Sequence, residues 1–282
     1  MYTVLSPQRL SLDLDQDSMV RAARAGGYDG VEPLLDHFVA SSDEADRVTE
    51  LVREAGLRWG PAALPATIGP ETSESGFGAI VDALRQAAPR LARAEVTTLS
   101  TWIAPAGDRL AYSDALRFHR ERLTVLLPIL RDHGLRLSME YVGPPTWRVP
   151  HRYDFVHSYQ GMRELLDGLS DPDAFGVTLD SFHWYAGGEA AQDIAVAHDI
   201  LVVDLNDAIP GVPAEEQLDL QRAQPGATGV IDLDEFLAAV RATGFSGPVH
   251  SEVMSDSLDH QPPEQRIAEA SRALRRTLAQ QA

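Results

Sequence analysis

A parallel (β/α)8 barrel is the fold this sequence predicts, and three observations carry the prediction. Short apolar runs alternate with helix-period stretches from one end of the chain to the other. The alternation repeats through eight strand–helix pairs in 282 residues, and barrels of this kind routinely reach about 250 residues as one domain. Four successive later runs end in a carboxylate: Glu140, Asp180, Asp204 and Glu252. Asp is a poor strand former, so acids repeated at strand ends suggest a role beyond filling the chain. A doubly wound open sheet would share the alternation, but eight repeats and the lack of a glycine-rich phosphate fingerprint disfavour it. No linker-like stretch divides the chain, so residues 1–282 are expected to form one domain.

In order, Tyr2–Leu12 holds the first strand, interrupted by Pro7. Asp17 or Ser18 caps a helix through about Ala25, which stops at Gly26-Gly27. Tyr28–Leu34 is the second strand. Ser41 or Ser42 opens a helix carrying Ala45, Val48, Leu51 and Val52 on one face, and Gly56 ends it. Leu57–Leu64 is the third strand, and residues 65–77 form a loop rich in Pro, Gly, Ser and Thr. A long helix runs from about Phe77 to Ala94, with Ile80, Leu84, Ala88 and Leu91 on one side. Val96–Ile103 is strand four, and Ser113 caps a helix to His133 that ends at Gly134.

Strand five is Leu135–Tyr141, followed by the long exit loop GPPTWRVPHRYDFVHS. A helix over Tyr159–Leu169 precedes strand six, Phe175–Asp180. About seventeen residues of helical character then lead to strand seven, Ile200–Leu205. A second long loop spans Asp207–Gly229, a helix covers Asp232–Ala242, Gly247–Val253 is strand eight, and Pro263–Gln280 closes the chain as a helix.

Composition narrows the function. A net charge of −18 argues against a nucleic-acid partner, which usually demands a basic face. No apolar run approaches the ~20 residues of a membrane span, and the N-terminus lacks the basic start and apolar core of a signal peptide. The chain has no cysteine, which removes disulfides, thiolate chemistry and Cys-based zinc sites. It reads as cytosolic, with a small molecule as its partner and self-association left open.

In a barrel the strand C-termini share one face, where active sites form. Adjacent strands lie about 5 Å apart, so Glu140, Asp180, Asp204 and Glu252 would converge over one side of the mouth. Carboxylates that close raise one another's pKa values, and a divalent cation resolves the conflict; an all-oxygen set favours Mg²⁺, Mn²⁺ or Ca²⁺. The alternative for each acid alone is a strand-end carboxylate bonded to loop amides.

His183, three residues after Asp180, is either a packed residue or a group for substrate contact and acid–base work. His250 shares a strand face with Glu252 and reads as an interior residue. Trp184 and Tyr185 either wall a sugar pocket or pack in the core. Trp102, at the end of strand four, and Trp147, in the fifth exit loop, lie on the active face. Arg222, in QRAQPG, either holds a hydroxylated or anionic substrate or is an exposed loop residue.

The segments MEYVGP, GVTLDSFHWY, VVDLNDA, RAQPGATGVIDLDEFLAAV and GFSGPVHSEV, with AARAGGYDGVE near the start, together resemble the sugar phosphate isomerase/epimerase family, with its xylose-isomerase-like TIM barrel. The resemblance implies a metal site of Glu140, Asp180, the strand-seven position 204 and Glu252, loaded with Mn²⁺ or Mg²⁺, with His183 at the substrate. It implies catalysis by Glu140, His183 and Glu252, and substrate contacts from His183, Trp102, Trp184 and Arg222. Three positions depart from the family pattern. The strand-seven ligand is usually His and here is Asp204; an acid–base Glu of the ketose 3-epimerase-like members is replaced by Thr146; an Arg often found after strand seven is replaced by Pro210.

The function implied is a divalent-metal-dependent isomerase or epimerase acting on a sugar, keto-sugar or cyclitol through an enediolate. The missing second acid–base Glu keeps open a lyase of the same fold, keto-inositol dehydratase-like or C-glycoside-cleaving. The change to Asp204 keeps open a non-catalytic barrel that binds a small molecule.

Overall fold

Apolar β-branched runs with no polar face are suited to strands covered on both sides, as in a parallel sheet wrapped by helices. The computed structural model, which describes residues 1–255, 258 and 260–279, builds its central sheet from largely buried strands, of which Arg136–Tyr141 alternates polar Arg136, Ser138 and Glu140 with apolar residues. The strands are β1 Tyr2–Leu5, β2 Gly30–Val31, β3 Arg58–Trp59, β4 Ala62–Ala63, β5 Thr98–Ile103, β6 Ala106–Gly107, β7 Arg136–Tyr141, β8 Tyr153–Asp154, β9 Phe175–Asp180, β10 Ile200–Leu205 and β11 Pro248–Ser251. Nine of them form one sheet in the order β3-β2-β1-β11-β10-β9-β7-β5-β4, and every pairing in it is parallel.

Its two edge strands, β3 and β4, are consecutive in the chain and separated by Gly60-Pro61 alone. The curled sheet therefore closes through the covalent chain, and the nine strands fill eight barrel positions. The third strand, expected as one run over Leu57–Leu64, is split because Pro61 offers no N–H to a ladder. At Gly60 a Cβ would stand 2.6 Å from Val4 Cγ1.

Helices surround the sheet: α1 Gln16–Gly26, α2 Leu35–Ala40, α3 Ser42–Glu54, α4 Glu74–Arg93, α5 Tyr112–Asp132, α6 Pro145–Arg148, α7 Tyr159–Asp167, α8 Ser181–Ala186, α9 Ala191–Ile194, α10 Leu233–Ala242 and α11 Pro263–Ala279. The apolar faces read from spacing are the buried ones, with Ala45, Val48 and Val52 on α3 and Ile80, Leu84, Ala88 and Leu91 on α4. Among the described residues no helix is long and apolar enough to cross a membrane.

Several boundaries differ from expectation for local reasons. Asp15, rather than Asp17 or Ser18, caps α1, accepting from the Ser18 amide. Ser73 caps α4 and starts it three residues before Phe77. The helix expected to be capped by Ser113 starts two residues earlier, at Tyr112, and its N-cap Ala111 makes no side-chain cap bond. Between β9 and β10 the helical stretch is two short pieces, α8 and α9, divided at Gly187-Gly188, where Gly188 takes a left-handed φ of 70°. Gln280, the expected end of the last helix, lies outside the described residues.

Candidate active site

Strands β7, β9, β10 and β11 are consecutive neighbours in the sheet, so their C-terminal residues share one end of the barrel. Asp204 sits in register with Asp180 on one side and His250 on the other, and Glu252 follows β11 directly. The ligand atoms offered by Glu140, Asp180, Asp204 and Glu252 all lie within 4.8 Å of one another. Asp180, Asp204 and Glu252 are buried, and Glu140 keeps 13% of its side chain exposed.

Two guanidinium groups enter this cluster. Arg222 Nη1 donates to Asp180 Oδ2 at 3.0 Å and to Glu252 Oε2 at 2.5 Å, while its Nη2 donates to Asp219 Oδ1 at 2.7 Å. Arg9 Nε donates to Asp204 Oδ2 at 3.0 Å, and its Nη1 to Glu32 Oε1 at 2.7 Å and Ser6 Oγ at 3.2 Å. Asp180 is held further: its Oδ1 accepts the Phe182 and His183 amides as the cap of α8, and Asn206 Nδ2 reaches both its oxygens. His183, buried at the start of α8, places Nε2 3.7 Å from Glu140 Oε1 and Nδ1 3.7 Å from Asp219 Oδ1.

The titration of these groups follows from burial and charge. Burial, then repulsion from Glu252, Asp204 and Asp180, holds Glu140 well above the usual carboxylate range. Burial lifts Glu252 to about 7, against the pull of Arg222. For Asp204 burial acts upward too, but Arg9 and His250 outweigh it and hold the group below its ordinary value. Burial and the neighbouring Arg222 lower His183 to about 4, so near neutral pH its imidazole is uncharged.

Six carboxyl groups (Glu32, Glu140, Asp180, Asp204, Asp219 and Glu252) thus face two guanidinium groups, and the upward shifts of Glu140 and Glu252 reflect burial and more acid than these two cations offset. Glu140 Oε1 is buried with no hydrogen-bond partner, a state in which its anion is costly without a counter-charge, in line with its raised pKa. A hard divalent cation answers both facts, and an all-oxygen donor set suits it. The residues therefore fit such an ion, with Glu140, Asp180, Asp204 and Glu252 offering the oxygens.

The cluster floors a cavity of about 500 Å³, lined among others by Arg9, Trp102, Glu140, His183, Arg222 and Glu252. Of the residues singled out in the sequence, Trp102 lies at its mouth, edge-on to Trp147 with ring centroids 5.9 Å apart. Arg222 is buried, not an exposed loop residue. Trp184 is not brought to the cavity; it packs against Phe236 of α10 with ring centroids 5.4 Å apart. His250 is fully buried and its Nδ1 lies 2.7 Å from Asp204 Oδ1.

Four contributors escaped the sequence reading: Arg9, Glu32, Asn206 and Asp219. The rule that picks acids at strand ends, applied to the second strand, finds Glu32 next to β2. Asn206 stands two residues past Asp204, and Asp219 three before Arg222, a spacing that lets the two pair. Arg9 offers no such signal, lying in a 3-10 turn, Gln8–Leu10, beyond β1.

A family model described as a xylose isomerase-like TIM barrel matches residues 20–277. An inosose isomerase of Bacillus subtilis (strain 168) is 30% identical over 133 residues, 46% of this chain and 44% of that protein. A 3-dehydroshikimate dehydratase of Pseudomonas putida is 32% identical over 147 residues, 50% of this chain and 23% of that protein. The matched segments thus span less than half the length of these relatives. Among solved structures, the IOLI protein with a bound zinc atom superposes with a TM-score of 0.83 at 19% identity, over 100% of this chain and 99% of the other.

Proposed function

We propose that this chain, which belongs to the xylose isomerase-like TIM barrel family, is a divalent-metal-dependent isomerase or epimerase of a sugar, keto-sugar or cyclitol. The observation that carries the reading is the convergence of four carboxylates within 4.8 Å, with Glu140 Oε1 unpaired. The inosose isomerase relatives support a cyclitol ketone as substrate, and the zinc atom bound by the structural neighbour supports a metal-binding reading. The oxygen donor set favours Mn²⁺ or Mg²⁺ for this chain. A cavity of about 500 Å³ suits a molecule of monosaccharide size. The reading takes residues 1–282 as one domain, supported by the family match and the single curled sheet, and it has no nucleic-acid or membrane partner.

Bound among these carboxylates, a divalent cation supplies Lewis-acid polarisation of neighbouring carbonyl and hydroxyl oxygens. The protein's own groups supply proton transfer and orientation. With one oxygen engaged by the ion, Glu140 would use the other to take a proton from a carbon beside the carbonyl, leaving an enediolate. Glu252 faces the same space as the second proton carrier, steadied by Arg222. Neutral His183 donates a hydrogen bond to a substrate oxygen without adding charge, and Arg222 keeps the floor of the cavity fixed.

A second reading, elimination from the same enediolate, is favoured by one observation. Thr146 stands where the epimerase-like members carry an acid–base Glu, and its hydroxyl donates to the Gln217 carbonyl at 2.8 Å. The dehydratase relative, 32% identical, fits that chemistry.

The test is a panel of keto-sugars and cyclitol ketones followed by proton NMR in D₂O, with metal-loaded and EDTA-treated protein. Deuterium entering beside a carbonyl in the loaded protein alone is the expected result, with isomer or dehydrated product separating the two readings. Turnover without solvent exchange, or turnover indifferent to EDTA, would sink the mechanism.

A further inference from the structure

The cavity above the carboxylates changes character between its floor and its rim. The floor is charged, with Glu140, His183, Arg222 and Glu252, whereas the lining that reaches solvent is Pro65, Ala66, Trp102, Leu220 and Met254. Among the described residues six large apolar side chains are exposed. Two of them, Trp102 at 38% and Leu220 at 59%, line this one cavity.

Both are held in place rather than left on loose loops. Trp102 of β5 pairs in register with Glu140 of β7, so its indole rises from the same face of the sheet beside that carboxyl. It leans edge-on against Trp147, which in turn stacks on His151 with ring centroids 6.2 Å apart. Trp147 belongs to α6, where the Thr146 hydroxyl donates to the Gln217 carbonyl at 2.8 Å. Buried Gln217 is fixed by its side chain to the Ile209 N–H and carbonyl and to the Val212 carbonyl. Just beyond Leu220, Gln221 bridges antiparallel to Ser255, which brings Leu220 and Met254 to one edge of the mouth.

Apolar surface fixed in water at the mouth of a charged cavity is stabilised by whatever covers it. A fully hydroxylated ring cannot both serve the floor and cover the rim. One C–H face could lie on the indole, but its hydroxyl edge would then meet Leu220 and Met254, which offer it no strong hydrogen bond. We infer that the substrate carries an aromatic substituent on its hydroxylated ring, seated against Trp102, Leu220 and Met254 while the ring oxygens meet the floor. An aromatic group gains ring–ring and sulfur–ring contacts at this rim beyond the area it buries, and a plain alkyl chain gains neither. Trp102 and Leu220 are then the residues that set specificity. This rests on the isomerase reading of the floor and adds the class of molecule it takes.

The experiment measures binding to the Mn²⁺-loaded protein by calorimetry. Its probes are inosose and the mono-O-benzyl and mono-O-methyl ethers of inosose, substituted at each ring position in turn. The best benzyl ether is expected to bind at least about tenfold more tightly than inosose, and its methyl counterpart no more tightly than inosose. Trp102→Ala and Leu220→Ser, each checked for folding by circular dichroism, should each cost that benzyl ether at least about fivefold more affinity than they cost inosose. Inosose that binds and exchanges deuterium, with no benzyl ether binding better, overturns this inference and leaves the isomerase reading intact. A methyl ether as tight as the benzyl ether overturns the aromatic class, and a preference that survives both substitutions overturns the role of the two residues. Protein that binds neither inosose nor any ether overturns the reading of the floor as well.

Discussion

Asn206 Nδ2 donates to both carboxylate oxygens of Asp180, at 3.2 and 2.9 Å, from the strand next door. The side-chain amide is itself held, since Ser181 Oγ donates to Asn206 Oδ1 at 2.7 Å and accepts from the Asn206 backbone N–H at 3.1 Å. A residue that aims a ligand carboxylate typically contributes 10–100-fold to metal affinity when removed. Asn206→Ala should therefore weaken Mn²⁺ binding by about that factor, measured by calorimetry on chelator-treated protein. Asn206→Asp should be worse, because it sets a like charge against Asp180. Unaltered affinity in both variants would refute a supporting role.

Gly143, just after β7, makes the closest approach to the helix that carries His183. A Cβ there would lie 2.1 Å from the His183 carbonyl oxygen and 2.9 Å from its carbonyl carbon. Both are backbone atoms, so the clash cannot be relieved by a rotamer change. Gly143→Ala should lower stability in urea by at least about 2 kcal/mol, in the range of overpacked interiors, and displace His183. Gly78, in α4, has nothing within 4 Å of a built Cβ. Gly78→Ala should instead be neutral or stabilising by up to about 1 kcal/mol, so the pair separates a steric effect from a propensity effect.

Asp207 holds the long connection after β10. Its Oδ1 accepts from the Ala208 and Ile231 amides at 2.9 and 3.0 Å, and its Oδ2 from the Thr228 and Gly229 amides at 2.9 and 2.8 Å. Four N–H groups from both ends of the segment thus converge on one buried carboxylate. Asp207→Asn replaces one acceptor by an NH₂ facing donors and should cost about 2–3 kcal/mol. The same segment carries Asp219 and Arg222, so Asp207→Asn should also speed proteolytic cleavage between residues 208 and 229. Limited proteolysis with mass spectrometry checks the location; cutting elsewhere first would count against this role.

The features legible in the sequence were local ones. An apolar run that ends in an acid needs only neighbouring residues to be recognised, and it placed Glu140, Asp180, Asp204 and Glu252 on adjacent strand ends. Arg9 could not be read this way, because its partner Asp204 is 195 residues away and nothing near Arg9 marks it. Trp184 misled because adjacency in sequence is not adjacency on a helix. It follows His183 by one residue, about 100° around the helix axis, which turns it from the cavity toward Phe236. The split third strand and the break at Gly187-Gly188 are signalled by Pro61 and by the glycine pair. Both signals are present in the sequence and were outweighed by the regular alternation around them.

His119 yields a prediction in the pH dependence of stability, well away from the carboxylate cluster. It is 2% exposed, stacked on Phe155 with ring centroids 4.7 Å apart. Its Nδ1 meets the Ala115 carbonyl at 2.8 Å, while Nε2 has no partner. Burial, with a smaller push from Arg122, lowers its pKa from 6.5 to about 4. The unfolded chain therefore binds this proton more readily than the folded one between those values, so stability rises with pH across that window. Above about 6.5 the contribution is complete; as pH falls toward 4 it is progressively lost, by at most about 3 kcal/mol. His119→Gln should flatten that part of the profile, leaving the parallel contribution of His183, which burial lowers to about 4 as well. Urea denaturation of both proteins at pH 4.5 and pH 7 measures the difference directly. The wild type should lose more stability between the two than the variant does, and equal losses would mean that His119 is protonated in the fold without penalty.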